Sequence, residues 1–200
     1  MRSNVFRLLI AMVGVVMFAF LPSCQKYDQL VEYDATCDQR WADIQAQLQR
    51  RADLVPNLVA AVKGSAAHEE KTLKEVSDAR AAATSINLSA DDLTDPAKMA
   101  AFQKAQDNLK GSLSRLLAVQ EAYPDLKANA SFQGLQVQLE GTENRILRSR
   151  EQYNDAVKQY NAELGKLGGK AVNQVTGKSF KPRVYFAADA SAQTAPVVSF

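Results

Sequence analysis

Few side chains in this 200-residue sequence are of the types that carry out chemistry. It contains one histidine, His68, and two cysteines, Cys24 and Cys37. Zinc sites need several His or Cys ligands, and a di-iron helical bundle needs two Glu-x-x-His motifs. His68 is followed by Glu69 and Glu70 and has no glutamate three residues before it. We therefore expect no metal, no cofactor and no catalytic residue.

Cys24 is the side chain best placed for a covalent modification. Arg2 and Arg7 precede an apolar run, residues 8–21, and the run leads into Leu-Pro-Ser-Cys. A basic start followed by a short apolar stretch is typical of a signal peptide. These four residues resemble a bacterial lipobox, in which the cysteine is alkylated with diacylglycerol and the chain is cut before it. This interpretation makes residues 1–23 a lipoprotein signal peptide.

A retained single-pass membrane helix is the alternative. A spanning helix needs about 20 apolar residues, and the uncharged stretch, residues 8–25, includes four poor membrane residues at its end. In both interpretations Arg2 and Arg7 mark the cytoplasmic side. The expected location is the bacterial cell membrane or the outer membrane, with the body facing the periplasm or the exterior.

The chain after Cys24 contains four segments with helical periodicity. Pro56 is expected to end or kink the first, while Asp95 and Pro96 form an N-cap and first helical position for the third. In the last two segments large residues repeat by three, four or seven, as in a coiled coil. The segments cover about residues 27–52, 56–86, 96–122 and 130–167.

Long helices with short connections favour antiparallel neighbours. The expected fold is therefore all-α: an elongated, antiparallel, up-and-down four-helix bundle, residues 24–167. A three-helix version follows if the chain passes through Pro56 as one kinked helix. Gly165, Gly168 and Gly169 are expected to stop the last helix. The remainder, residues 168–200, is interpreted as a tail packed on the bundle or partly disordered. Five basic residues within 166–189 could touch anionic lipid near the anchor: Lys166, Lys170, Lys178, Lys181 and Arg183.

Two groups of polar residues interrupt the apolar patterns of the first and fourth segments. They are interpreted either as a partner-binding patch or as interhelical contacts that fix the register of the bundle. These candidate residues are Arg50, Arg51, Asp53, Asn57, Thr142, Glu143, Asn144 and Arg145.

Several ordered motifs resemble the LemA family over about residues 27–200. They are Arg-Arg-Ala-Asp-Leu-Val-Pro-Asn-Leu-Val at 50–59, Tyr-Pro-Asp-Leu-Lys-Ala-Asn at 123–129, Thr-Glu-Asn-Arg-Ile at 142–146, Tyr-Asn at 153–154 and 160–161, and Ala-Pro-Val-Val-Ser-Phe at 195–200. The resemblance implies a bundle of four long antiparallel helices, an N-terminal membrane anchor and no established active site. The lipobox-like stretch stands where many members have a full spanning helix.

The expected function is that of a non-catalytic envelope scaffold or adaptor with an unknown envelope protein as partner. Lys and Arg number 24 against 22 Asp and Glu, a balance that argues against nucleic-acid binding. The alternative is a module that binds a small or lipid-like ligand between its helices. That alternative requires a cavity lined by Cys37, Trp41, Tyr153 and Tyr160.

The lipid anchor has a direct test. We expect radiolabelled palmitate to be incorporated into the wild-type protein and to be lost in Cys24→Ala, because that thiol begins the lipid attachment. Mass spectrometry provides the control, since a wild-type protein that keeps the full precursor mass contradicts the interpretation.

Overall fold

The computed structural model describes the backbone of residues 2–66, 68–177 and 179–187. Side chains are described from residue 25 onward within those ranges, except residues 175 and 176. All regular secondary structure there is helical, which confirms the all-α prediction. The α-helices are α1 (Arg2–Ser65), α2 (Glu70–Ser85), α3 (Pro96–Ala118), α4 (Pro124–Lys127), α5 (Ala130–Gly165) and α6 (Leu167–Thr176), with short 3-10 helices at Asp92–Thr94 and Val119–Ala122.

The long helices alternate in direction along the chain. α1 and α5 form the most extensive interface, and α2 contacts both α3 and α1. Lys26 in the first half of α1 meets Glu163 near the end of α5, whereas Arg51 further along α1 meets Glu143. α1 and α5 are therefore antiparallel. Among the residues whose side chains are described, no helix is both long and apolar enough to cross a membrane.

Pro56 does not end α1, so the chain follows the alternative in which one helix passes through Pro56, and the predicted break between the first two segments is not formed. α1 continues to Ser65, and the next helix begins at Glu70. A proline inside a helix has no N–H to donate to the carbonyl four residues earlier, which here is Ala52. The Arg80 Nε of α2 donates to that Ala52 carbonyl at 2.8 Å. A neighbouring helix thus supplies the hydrogen bond that Pro56 cannot make.

The starts of α3 and α5 are fixed by side-chain caps. As predicted, Asp95 accepts hydrogen bonds from the backbone N–H groups of Ala97 and Lys98, ahead of Pro96. Asn129 caps α5 in the same way. The repeating large residues of both helices are buried. The helix faces predicted from the spacing of these residues are therefore the faces that pack against the core.

The apolar interior consists of two clusters placed one above the other. We call the cluster that contains residues 30–48 of α1 the near core, and the cluster that contains residues 54–66 the far core. The near core includes Leu30, Cys37, Trp41, Ile44, Phe102, Tyr153, Tyr160 and Phe186. The far core includes Leu54, Leu58, Val62, Val76, Leu113, Leu126, Phe132 and Leu139.

α6 was not expected from the glycines after α5. α5 ends at Gly165 as predicted, but a new helix starts at Leu167 and contains Gly168 and Gly169. A Cβ on Gly169 would lie 2.5 Å from the Glu163 carbonyl oxygen. The absence of a side chain therefore allows α6 to turn back closely against the end of α5.

Residues 179–187 follow α6 as an extended segment against α5. Asn161 exchanges two hydrogen bonds with the backbone of Arg183, and Asn154 does the same with Phe186, all at 2.8–2.9 Å. Seven helical residues span about 10.5 Å, which matches three extended residues. The two Tyr-Asn pairs of α5 are seven residues apart, and they therefore bind segment residues that are three apart, Arg183 and Phe186.

The role of Arg80 can be tested by a double-mutant cycle. Arg80→Met should lower the free energy of unfolding by about 1–2 kcal/mol, because the buried Ala52 carbonyl loses its donor. In a Pro56→Ala background the loss should be smaller, because the backbone N–H restored at position 56 can bond to that carbonyl.

Urea unfolding measures both effects, and Arg148→Met on the exposed face of α5 is the control. Equal losses from Arg80→Met with and without Pro56 would contradict this explanation.

Candidate functional site

Arg51 lies between the two cores and is almost completely buried. Its Nη1 pairs with Glu143 Oε1 of α5 at 3.1 Å. Its Nη2 donates to both the side-chain oxygen and the backbone carbonyl of Gln106 in α3. Three helices therefore meet at one guanidinium group.

Gln106 extends this arrangement to the fourth long helix. Its Nε2 donates to the Ala83 carbonyl of α2 at 3.0 Å. We call Arg51, Gln106, Glu143 and the Ala83 carbonyl the polar layer. A buried charge is costly unless it is paired and hydrogen-bonded. The polar layer can therefore form only when α1, α2, α3 and α5 pack in one fixed axial register.

The other predicted residues separate into buried and exposed positions. Thr142 is buried and donates to the Gln138 carbonyl of its own helix. The others are exposed: Asn144 and Arg145 on α5, and Arg50, Asp53 and Asn57 on α1. The last three recur by three and four residues, so they form one stripe along α1. We call Arg50, Asp53 and Asn57 the α1 stripe.

Arg183 forms a second buried ion-pair cluster that the sequence reading did not identify. It was assigned to a basic tail, but its Nη2 lies 2.8 Å from both Asp34 and Asp38 of α1. Its guanidinium carbon also lies 5.9 Å from the centre of the Tyr160 ring. The spacing of Asp34 and Asp38 by one helical turn was the available sequence signal.

Cys37 lies between these two aspartates and is fully buried. Burial raises the pKa of its thiol to about 11, with opposing effects from Arg183 and the aspartates. The thiolate is the nucleophilic form of cysteine. The thiol is therefore held in its unreactive, protonated form at neutral pH.

An ion-pair group joins α1 to the end of α5. Glu163 is buried and lies 2.7 Å from Lys166 and 2.8 Å from Lys26. Hydrogen bonds from these two lysines hold the pKa of Glu163 below its ordinary value. Lys166 and Arg183, two of the five basic residues named above, thus both form ion pairs within the bundle.

The ligand-binding alternative required a cavity lined by Cys37, Trp41, Tyr153 and Tyr160, but these four side chains belong to the near core. Tyr160 also lines an open pocket of about 290 Å³ together with Asp34, Asp38 and Arg183. Cys37, Trp41, Tyr153 and Tyr160 are each at most 4% exposed. The Trp41 ring packs against Phe102 and Tyr153 at centroid distances of 5.3 and 5.5 Å. Within the described part of the chain, no cluster of three or more His, Cys, Asp or Glu side chains could hold a metal ion.

A groove of about 370 Å³ opens between α3 and α5. Leu113, Leu117 and Leu139 form its apolar lining, and Glu140 and Asn144 are among its polar lining residues. It lies beside Glu143, at the end of the polar layer. We call it the α3–α5 groove.

A comparison with models of protein families identifies the family of this chain. The model of the LemA family matches residues 40–200. The chain belongs to the LemA family. The matched range contains the whole polar layer, the α1 stripe and the Tyr-Asn repeats of this LemA protein. A comparison with curated proteins found no match.

Substitution of two neighbouring arginines, one buried and one exposed, tests the structural role of the polar layer. Arg51→Leu should lower the free energy of unfolding by about 2–3 kcal/mol, because it leaves Gln106 and the half-buried Glu143 without their partner. Arg50→Leu on the exposed side should change it by no more than about 0.5 kcal/mol.

Thermal and urea unfolding followed by circular dichroism compare the two variants. If both arginines gave similar losses, the layer would not have the structural role described here.

Proposed function

We propose that this LemA-family protein is a membrane-tethered, non-catalytic scaffold or adaptor of the bacterial envelope. The observation that carries the proposal is the continuity of α1 from Arg2 to Ser65. In the lipoprotein interpretation residues 1–23 are removed, and the lipid-bearing Cys24 would stand at the start of the remaining helix, which runs to Ser65. In the single-pass interpretation residues 2–23 continue directly into that helix. The side chains of residues 1–23 and of Cys24 lie outside those described.

The length of α1 supports a role in presenting a surface away from the bilayer. Residues 25–65 span roughly 60 Å at 1.5 Å per residue. The α1 stripe is in the second half of this span, at Arg50, Asp53 and Asn57. A tethered body of this kind would hold the stripe at a distance from the anchor, where another envelope protein could reach it.

The state of the buried ionisable groups supports a non-catalytic role. Arg51, Arg183 and Glu163 are each paired with oppositely charged side chains. Burial keeps the Cys37 thiol protonated. Such partnered groups stabilise helix contacts, whereas a general acid, a base or a nucleophile must reach its substrate.

The α1 stripe is our candidate for the partner-binding part of the predicted polar set. Arg51 and Thr142 are buried, so a partner cannot reach them without disturbing the bundle. Arg50, Asp53 and Asn57 are exposed and can form hydrogen bonds with another protein. The proposed location is the cell membrane or outer membrane, with the stripe on the periplasmic or exterior side.

Site-specific photocrosslinking in intact cells tests this function. A photoreactive amino acid at Arg50 or Asn57 should give the same discrete adduct, since both positions lie on one stripe. The matched control is Lys158, an exposed position on α5. Mass spectrometry of the adduct identifies the partner.

A second control tests the tether. Cys24→Ala should reduce the adduct if the lipid anchor places the protein beside its partner. No adduct from Arg50 or Asn57, or equal adducts from Lys158, would overturn the proposed surface.

A further inference from the structure

α6 lies at the end of the bundle where the proposed anchor is attached. A Cβ on Gly168, the second residue of α6, would lie 3.3 Å from Cγ of Lys26 in α1. Further along α6, Val172 belongs to the near core. Lys26 is two residues after Cys24, and α1 is continuous through both. Measured along α1, the start of α6 is therefore within one helical turn of the proposed lipid attachment.

The face of α6 that points away from the near core is a stripe of exposed side chains. Four exposed residues of α6 recur at the spacing of one helix face, whereas Gly169 and Val172 on the opposite face are buried. We call these four residues the α6 stripe: Leu167, Lys170, Ala171 and Gln174.

Leu167 is the most exposed large apolar residue among the described side chains, at 87%. A single exposed leucine is common on protein surfaces and needs no partner by itself. The position of Leu167 is what gives it significance, because it begins α6 beside Lys26. Leu147, the exposed leucine of α5, is about 27 Å from the end of its helix. The apolar side chain that water covers most fully is thus the one nearest the proposed anchor.

The ion-pair group next to the α6 stripe carries net positive charge on its outer side. Glu163 is only 4% exposed, whereas its two partners, Lys26 and Lys166, are 43% and 65% exposed. Two lysines around one glutamate leave one positive charge, and Lys170 of the stripe adds another. The exposed Asp28 follows Lys26 by two residues and therefore lies on the opposite side of α1.

We propose that the α6 stripe lies on the surface of the bilayer that holds the anchor. Leu167 would enter the boundary between headgroups and acyl chains, as the apolar face of an interfacial helix does. Lys166 and Lys170 would lie against the phosphate groups of anionic lipids. This inference rests on the proposed membrane tether.

The tether makes such a small contact sufficient. Either form of anchor holds the α6 stripe beside the bilayer at high effective concentration, so the contact does not have to recruit the protein by itself. Its consequence is orientation. With an anchor and a second contact at one end, the body would stand in a defined direction on the membrane, and the α1 stripe would be held away from it.

Lipid photocrosslinking of the full-length protein reconstituted in vesicles tests the contact. A photoreactive amino acid replaces Ala171, so that Leu167 and Lys170 are retained. The vesicles contain phosphatidylcholine and radiolabelled phosphatidylglycerol in equal amounts. The labelled adduct should be at least tenfold more abundant than with the same amino acid at Arg148, an exposed position in the middle of α5.

A parallel sample carries the radiolabel on phosphatidylcholine instead. Because the lysines should favour the anionic lipid, the yield at Ala171 should be at least threefold lower. Equal yields from the two lipids would overturn the role given to the lysines.

Substitution of the stripe leucine separates lipid contact from folding. Leu167→Glu should lower the phosphatidylglycerol adduct at Ala171 at least fivefold, because it places a negative charge against an anionic surface. A glutamate in the first turn is favourable for a helix, so circular dichroism should be unchanged. The matched control is Leu147→Glu, which alters an exposed leucine far from the anchor and should leave the adduct unchanged.

Flotation of the vesicles distinguishes failure of the contact from failure of the tether. Protein that floats with the vesicles but gives no more adduct at Ala171 than at Arg148 overturns the contact alone. Protein that does not float contradicts the tether, and the contact with it. Equal effects of Leu167→Glu and Leu147→Glu would also overturn the contact.

Discussion

The buried guanidinium of Arg51 is the constraint on which the arrangement of the long helices depends. Apolar surfaces can slide past one another with modest loss, but a buried charge must find its partners at fixed positions. Here those partners are Glu143 on α5 and Gln106 on α3, and Gln106 in turn reaches α2. The polar layer divides the near core from the far core and sets their common register.

The continuation of α1 through Pro56 depends on the residue next to Arg51. Ala52 follows Arg51 directly, and its carbonyl is bonded to Arg80 of α2. One helical turn of α1 therefore contains both the charge that positions α3 and α5 and the acceptor that positions α2. The long α1 and the docking of α2 are two consequences of one local arrangement.

The two halves of the body are completed in different ways. In the far half, α2 packs against α1 and α3. α2 has only 16 residues, so the near half is covered instead by α6 and residues 179–187, which contribute Val172, Phe180 and Phe186 to the near core. α6 and residues 179–187 are thus a structural part of the body. The basic Arg183 is used inside the fold, against Asp34 and Asp38.

The sequence by itself determined the helical class, the buried seams of α3 and α5, the Asp95 cap and the family. Each follows from local periodicity, from a cap that acts within one turn, or from short ordered motifs. Tertiary structure decided that α1 passes through Pro56, because the compensating donor, Arg80, comes from another helix. It also decided that Arg51 is buried and Arg50 exposed, since two adjacent arginines differ only in which helices lie beside them. Arg183 is separated from Asp34 by 149 residues, and no local pattern connects groups that far apart.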